Sequence, residues 1–404
     1  MKPRLIKILD FYIGKPLCFL LTILLSVRKL FIKRKIHPPK RILFLKLIEQ
    51  GATVLAFPAM KSAVEKLGKE NVYFCVFSSN RPILDILNII PPENIIEIRH
   101  HNLISFKIDI LKLMVFCRRK SIDTVIDMEL FSRSSAIIAL LTGARNRIGY
   151  HRFTSELPYR GNLMTHRLMY NPYLHVSVAY VTLLNAAFVE KTDEPLLKQV
   201  PTEDKYVLPE YLPSVDHIAK VERMINKKQS ETCIILNPNA SDLIPLRKWD
   251  ISNFIALVKL IGQSFPDCKV IITGTTEERV YAAEIIQASK SENIIDLTGK
   301  TSFEELMTLY SICDVLITND SGPGHFSTLT HIHKIILFGP ETPVLYGPMG
   351  NRVNVIYKKL ACSPCVNAMN HRFSPCKNNV CMQSISTEEV FQALKAVLEN
   401  NKKQ

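Results

Sequence analysis

The sequence predicts an α/β protein made of two doubly wound, Rossmann-like domains in tandem, preceded by a basic apolar segment. Three observations lead there. The chain has 404 residues, too many for one small module and about right for two ordinary α/β domains. Its 47% hydrophobic and 22% charged residues can fill two cores, which excludes a disordered, collagen-like or low-complexity protein. From Arg41 onward, short β-branched runs alternate with longer segments of helical periodicity, the pattern of βαβ units around a parallel sheet.

The first series of strands is predicted at Ile42 to Lys46, Val72 to Phe77, Asn94 to Ile98 and Thr124 to Asp127. The second is predicted at Cys233 to Leu236, Lys269 to Thr273, Asn293 to Leu297, Val315 to Thr318, Lys334 to Phe338 and Val353 to Tyr357. Between them, Pro201, Pro209 and Pro213 punctuate a polar stretch that reads as a linker. The expected organisation is a segment 1–40, a domain 41–200, a second domain 215–385 and a final helix 386–404. Ligands are expected at the carboxyl ends of the two sheets, in the cleft that such a pair of domains makes.

The net charge of +14 is concentrated at one end. Residues 1–41 carry eleven Lys or Arg and one acid, Asp10, a net of +10. The body of the chain is therefore nearly neutral, and nucleic acid is not an expected partner. Within that basic segment Pro16 to Val27 is apolar, bracketed by Lys15 and by Arg28 with Lys29. The run is short for a span, and no small-residue cleavage site follows it. It reads as an interfacial anchor, apolar side chains in the acyl boundary and cations on an anionic membrane surface, with a single span as the alternative.

Three strand-to-helix junctions carry the chemistry. In Thr318-Asn319-Asp320-Ser321-Gly322-Pro323-Gly324-His325 an apolar strand enters a glycine-bearing turn and a helix, a place suited to phosphate, although Asp320 or Ser321 could equally cap that helix. In Asn237-Pro238-Asn239-Ala240-Ser241, followed by Arg247 and Lys248, small polar groups and two cations could hold a diphosphate, while Trp249 reads as a core anchor. In Gly274-Thr275-Thr276-Glu277-Glu278 a carboxylate could accept ribose hydroxyls, or the acids could simply favour the first turn of the next helix.

Taken in this order, with Leu297-Thr298-Gly299-Lys300-Thr301-Ser302 and with Leu337-Phe338-Gly339-Pro340-Glu341-Thr342-Pro343, these junctions resemble the lipopolysaccharide heptosyltransferase family, glycosyltransferase family 9. Ile42 to Leu47 and Gly51 to Ala59 resemble that family's opening strand, loop and helix. The resemblance implies a GT-B fold and inverting transfer of a heptose or related sugar from a nucleotide-diphosphate donor to a lipopolysaccharide-type glycolipid, at the cytoplasmic face of the inner membrane. It implies donor diphosphate contacts from Asn239, Ala240, Ser241, Arg247, Ser321 and Gly322, ribose contacts from Glu277 or Glu278, and Asp320 at the transferred sugar. His325 matches the family's histidine, either touching donor or tucked beneath the turn. Where many members carry Gly-Asp this chain has Gly51-Ala52, which removes the usual base; Glu49, in the same loop, is the carboxylate expected to replace it.

Arg133 is a candidate for gripping an anionic acceptor, and the basic run Arg145 to Arg152 is another. No cofactor is expected for catalysis, because Arg and backbone N–H groups can offset a diphosphate's charge. Cys362, Cys365, Cys376 and Cys381 could hold a structural zinc or be reduced thiols in an irregular loop. Two other functions fit less of the sequence: a nucleotide-sugar epimerase, and a catalytically silent nucleotide-sugar binding protein, which the missing aspartate at Ala52 would favour.

Overall fold

The computed structural model describes residues 8, 10–31, 37–154, 159–190, 193–201, 207–228, 231–240, 244–290 and 293–401. The chain forms two compact units. One comprises residues up to 206 together with 368–372, and the other 207–367 together with 373 onward.

The first unit is a parallel sheet of β1 (Ile42–Leu45), β2 (Val72–Phe77), β3 (Ile95–Ile98), β4 (Thr124–Asp127), β5 (Asn146–Tyr150) and β6 (His166–Leu168), in the order β3-β2-β1-β4-β5-β6. β1, β2, β4 and β5 are buried along their whole length, which is why β1 and β2 read as unbroken apolar runs rather than alternating ones. β5 and β6 lie beyond the strands that periodicity predicts. The basic run at Arg145 to Arg152 is largely β5, and its Arg147 is buried, Nε donating to the Leu163 carbonyl at 2.7 Å and Nη1 to the Ala144 carbonyl at 2.8 Å. Arg147 therefore satisfies backbone and is not an anion-gripping side chain.

The apolar N-terminal segment is a helix, Gly14–Phe31, continuous with Asp10 as a 22-residue apolar stretch. A narrow stripe of it docks on the first unit. Asp10 accepts from the Arg133 and Ser134 backbone N–H groups at 3.0 and 2.8 Å and pairs with the Arg133 guanidinium at 3.1 Å, so it caps the helix Arg133–Leu141 from outside. Gly14 and Cys18 are buried, and Thr22 Oγ1 accepts from Asn162 N at 2.9 Å. The remaining faces expose Leu20, Leu24, Leu30 and Phe31.

The seat for this helix depends on one glycine. Gly161 has φ +67°, and a Cβ there would lie 2.7 Å from the Cys18 carbonyl oxygen and 2.5 Å from Thr22 Oγ1. Gly161→Ala adds backbone strain and a collision with helix backbone, so a loss of about 1–3 kcal/mol is expected, read as a lowered Tm with faster proteolysis ahead of residue 40. An unchanged Tm would mean that the helix is not seated there.

The second unit repeats the architecture with β7 (Cys233–Asn237), β8 (Lys269–Ile272), β9 (Ile294–Asp296), β10 (Val315–Asn319), β11 (His333–Phe338) and β12 (Val353–Tyr357), all parallel in the order β12-β11-β10-β7-β8-β9. Its core gathers Ile234, Leu236, Phe254, Ile317 and Leu337 around Trp249. Trp249 is fully buried, as its reading as an anchor requires, and its indole N–H donates to the Ile385 carbonyl at 2.9 Å.

Candidate active site

In a doubly wound sheet the crevice for ligands opens where strand order reverses, outside the carboxyl ends of the strands on either side. In the second unit that point lies between β7 and β10. The segments leaving these two strands are Pro238 to Ala240 and Asp320 to Gly322, so sheet topology alone brings two of the three junctions together. Asn319 ties them: its Nδ2 donates to the carbonyls of Pro238 at 2.9 Å and Asn239 at 3.3 Å, and its Oδ1 accepts from Trp249 N at 3.1 Å.

That last bond also fixes Arg247. Asn379 Nδ2 donates to the Leu246 and Lys248 carbonyls at 3.0 and 2.9 Å, so the backbone around Arg247 is held from both sides. The buried guanidinium then stands 3.6 Å from Asp320 Oδ2 and 3.5 Å from Glu341 Oε2. Burial pushes the Asp320 carboxyl above the usual carboxylate range, and Arg247 and a hydrogen bond with Glu341 oppose it.

The third junction joins the same cluster. A Cβ at Gly274 would meet Asn239 Nδ2 and Glu278 Oε2, each at 2.8 Å, so the absence of a side chain lets the segments after β7 and β8 close on one another. Glu278 accepts from Thr275 N at 2.7 Å in a capping box, the capping alternative foreseen for these acids. Glu277 is exposed, and hydrogen bonds from its own N–H and the Thr275 hydroxyl hold its carboxyl below the ordinary value.

The turn after β10 departs from expectation. Asp320, Ser321 and His325 are buried, while Gly322 and Pro323 are half-buried. The turn thus offers backbone more than side chains. Ser321 Oγ lies 3.1 Å from Thr318 Oγ1. The helix that follows, Gly322–Phe326, is only 5 residues long, so little aligned dipole stands behind it and Arg247 is the main positive charge. Ala240 is buried beside Asn239, and Ser241 lies outside the described residues.

The first unit has its own reversal between β1 and β4, and the segments that leave those strands carry Lys46, Glu49 and Glu129. Glu129 accepts from Leu47 N at 2.7 Å, Ile48 N at 2.9 Å and Lys46 Nζ at 3.2 Å, clamping the loop from which Glu49 projects. Glu49 has φ +68°, an unfavourable conformation for a residue with a side chain, at the start of the helix Gln50–Leu55. Its carboxylate pairs with Arg372 and lies 3.9 Å from Lys46 Nζ. Burial pushes Arg372 down to about 10, which leaves it charged at neutral pH. Ala52 is buried within the same helix and offers no ionisable group.

The structure corrects the expectation for Arg133 and describes the four cysteines. Arg133 is almost fully buried and holds Asp10 of the N-terminal helix, with Nη2 3.3 Å from His371 Nε2, so it is a clasp rather than an exposed acceptor contact. Cys362 and Cys376 are exposed, Cys365 is half-buried and Cys381 buried; no three His, Cys, Asp or Glu among the described residues stand as a metal-ligand group. Burial pushes the Cys381 thiol up to about 11. Glu129 and Glu341 were not singled out from sequence, yet both carry a legible signal, an acid within three residues of the carboxyl end of an apolar strand.

Residues 110–373 match the family model described as glycosyltransferase family 9 (heptosyltransferase). The chain belongs to glycosyltransferase family 9. Lipooligosaccharide heptosyltransferase 2 of Campylobacter jejuni is 31% identical over 180 residues, which cover 44% of this chain and 54% of that protein. The match thus spans about half the length of that curated relative. Lipopolysaccharide heptosyltransferase 1 of Campylobacter coli is 22% identical over 360 residues, covering 86% of this chain and 94% of that protein. Among solved structures, the Escherichia coli ADP-heptose lipopolysaccharide heptosyltransferase II superposes with a TM-score of 0.67 at 17% identity, over 90% of this chain and 99% of that one. The two parallel six-stranded sheets of this family 9 member are those of a GT-B fold.

Proposed function

We propose that the protein is an inverting heptosyltransferase that moves a heptose from a nucleotide-diphosphate donor, ADP-heptose by analogy with its relatives, to a lipopolysaccharide-type glycolipid. The observation that carries this reading is the convergence of Arg247, Asp320 and Glu341 with Asn239 and Gly274 at the strand-order reversal of the second unit. A clamped, buried guanidinium beside small polar groups suits a leaving diphosphate, whose developing charge it offsets.

Transfer also needs a base for the acceptor's proton. An acceptor hydroxyl attacks the anomeric carbon as the bond to the diphosphate breaks, and its proton passes to a carboxylate; Glu49, paired with Arg372 and near Lys46, is the group assigned that role. The N-terminal helix holds the enzyme on the anionic cytoplasmic face of the inner membrane, where such an acceptor is presented.

The test is transfer by the purified full chain from ADP-heptose, with UDP- and GDP-sugars in parallel, to a heptose-deficient lipopolysaccharide extract. Transfer of heptose to lipid is the expected result. Release of an epimerised free nucleotide sugar, or donor binding with no turnover, would replace the reading with the epimerase or the silent binder.

A further inference from the structure

From the exposed face of the helix Leu103–Arg119 we infer a second contact with the anionic lipid bilayer, separate from the N-terminal helix. Its inward face is ordinary: Ile110, Leu113 and Cys117 are buried in the core of the first unit. Its outward face is not. Ile104, Ile108, Leu111 and Val115 recur at the spacing of one helical stripe and are all exposed, Ile104 at 73% and Leu111 at 60%. Four large aliphatic side chains in one row form a patch, unlike the single exposed apolar residues that are normal on a surface.

Charge selects the occupant. Lys107, Lys112, Arg118 and Arg119 flank the stripe, where their long stems can lie along apolar surface with the charges at headgroup level. The only acid between residues 99 and 120 is Asp109, which is buried, turned to Arg99 with Nη2 2.9 Å from its Oδ1, and 3.9 Å from Lys112 Nζ, so one acid stands among the cations and the rim keeps a net positive charge. An apolar stripe with a net positive rim complements a bilayer of anionic lipid.

Position makes this continuous with the proposed anchor. Cys18 of the N-terminal helix belongs to the same hydrophobic cluster as Ile110, Leu113 and Cys117, together with Leu43, Tyr73 and Val125 of the sheet. Both helices therefore cover one face of that sheet, and both turn apolar residues outward. Two contacts on one face would orient the unit as well as retain it. The inference extends the proposed membrane attachment and is tested without reference to catalysis.

The experiment uses the full-length protein with vesicles of phosphatidylcholine, with and without phosphatidylglycerol. Ile104→Glu/Ile108→Glu/Leu111→Glu should bind anionic vesicles about tenfold more weakly or worse, at unchanged Tm, since the positions are exposed. Ile108→Trp should gain emission that shifts to the blue on anionic vesicles and is quenched by brominated lipid. Unchanged vesicle binding by the triple variant, no response from the added Trp, or failure of the parent protein to bind vesicles would each overturn the inference. So would a parent oligomer that falls apart in the triple variant at unaltered vesicle binding, because the stripe would then serve a second copy. Transfer to a detergent-dispersed acceptor should survive in the triple variant; its absence in the parent would count against the heptosyltransferase reading and leave the vesicle result standing.

Discussion

Glu49→Gln is expected to lower kcat by roughly a hundredfold to ten-thousandfold, the range for loss of a positioned general base, while donor affinity and Tm stay near those of the parent. Glutamine keeps the size of the side chain and removes its ability to take a proton. It also removes the negative partner of Arg372 and Lys46, but the Arg372 side chain is partly exposed to water and Lys46 keeps Glu129 at 3.2 Å. Burial lowers the Lys46 pKa, and Glu129, which the substitution leaves in place, opposes the shift. The variant should therefore fold. Single-turnover transfer with saturating ADP-heptose, together with donor titration by calorimetry, separates the chemical step from binding. Unchanged turnover would remove Glu49 from the mechanism, and parallel losses of turnover and stability would make it a structural partner of Arg372.

The strands most legible in the sequence are unbroken apolar runs, while the partly exposed β3, β9 and β12 are legible from their place in the alternation of strand and helix. β1, β2, β7, β10 and β11 are apolar runs with no polar interruption long enough to hide them. β5 was hidden because Asn146-Arg147-Ile148-Gly149-Tyr150 carries an arginine and a glycine, and only the assembled fold provides the Ala144 and Leu163 carbonyls that satisfy that arginine. The same separation limits the reading of sites. Arg247 stood out by its neighbours in sequence, but the residues that aim it, Asn319 and Asn379, come from distant segments and look like ordinary loop polar residues. Arg133 misled for a related reason. Its partner Asp10 is 123 residues away in a segment whose obvious feature was its positive charge. Local pattern reports which residues could act; it does not report which of them a distant carboxylate has already engaged.

Arg247→Ala should be the most damaging single change in the second unit. It deletes the cation proposed to face the donor and leaves Asp320 and Glu341, both nearly fully buried, without their shared counter-charge. Removing one partner of a buried ion pair costs about 3–5 kcal/mol, so a marked fall in Tm is expected together with loss of donor binding. Arg247→Lys separates the two effects. A lysine keeps the charge between the carboxyls but lacks the planar fork that can engage two phosphate oxygens, so Tm should largely recover while donor affinity remains at least about tenfold weaker. The pH dependence has a definite sign. Burial raises the Asp320 pKa, so its carboxyl keeps a proton to higher pH than an exposed aspartate. As pH rises through that titration, a negative charge appears beside the site of the diphosphate, and donor affinity should decline. Asp320→Asn should flatten that decline, since the amide is neutral throughout. Donor titrations across the weakly acid to neutral range on the parent and on Asp320→Asn test this directly; an affinity that climbs with pH in the parent, or a slope that persists in the variant, would place the titrating group elsewhere than Asp320.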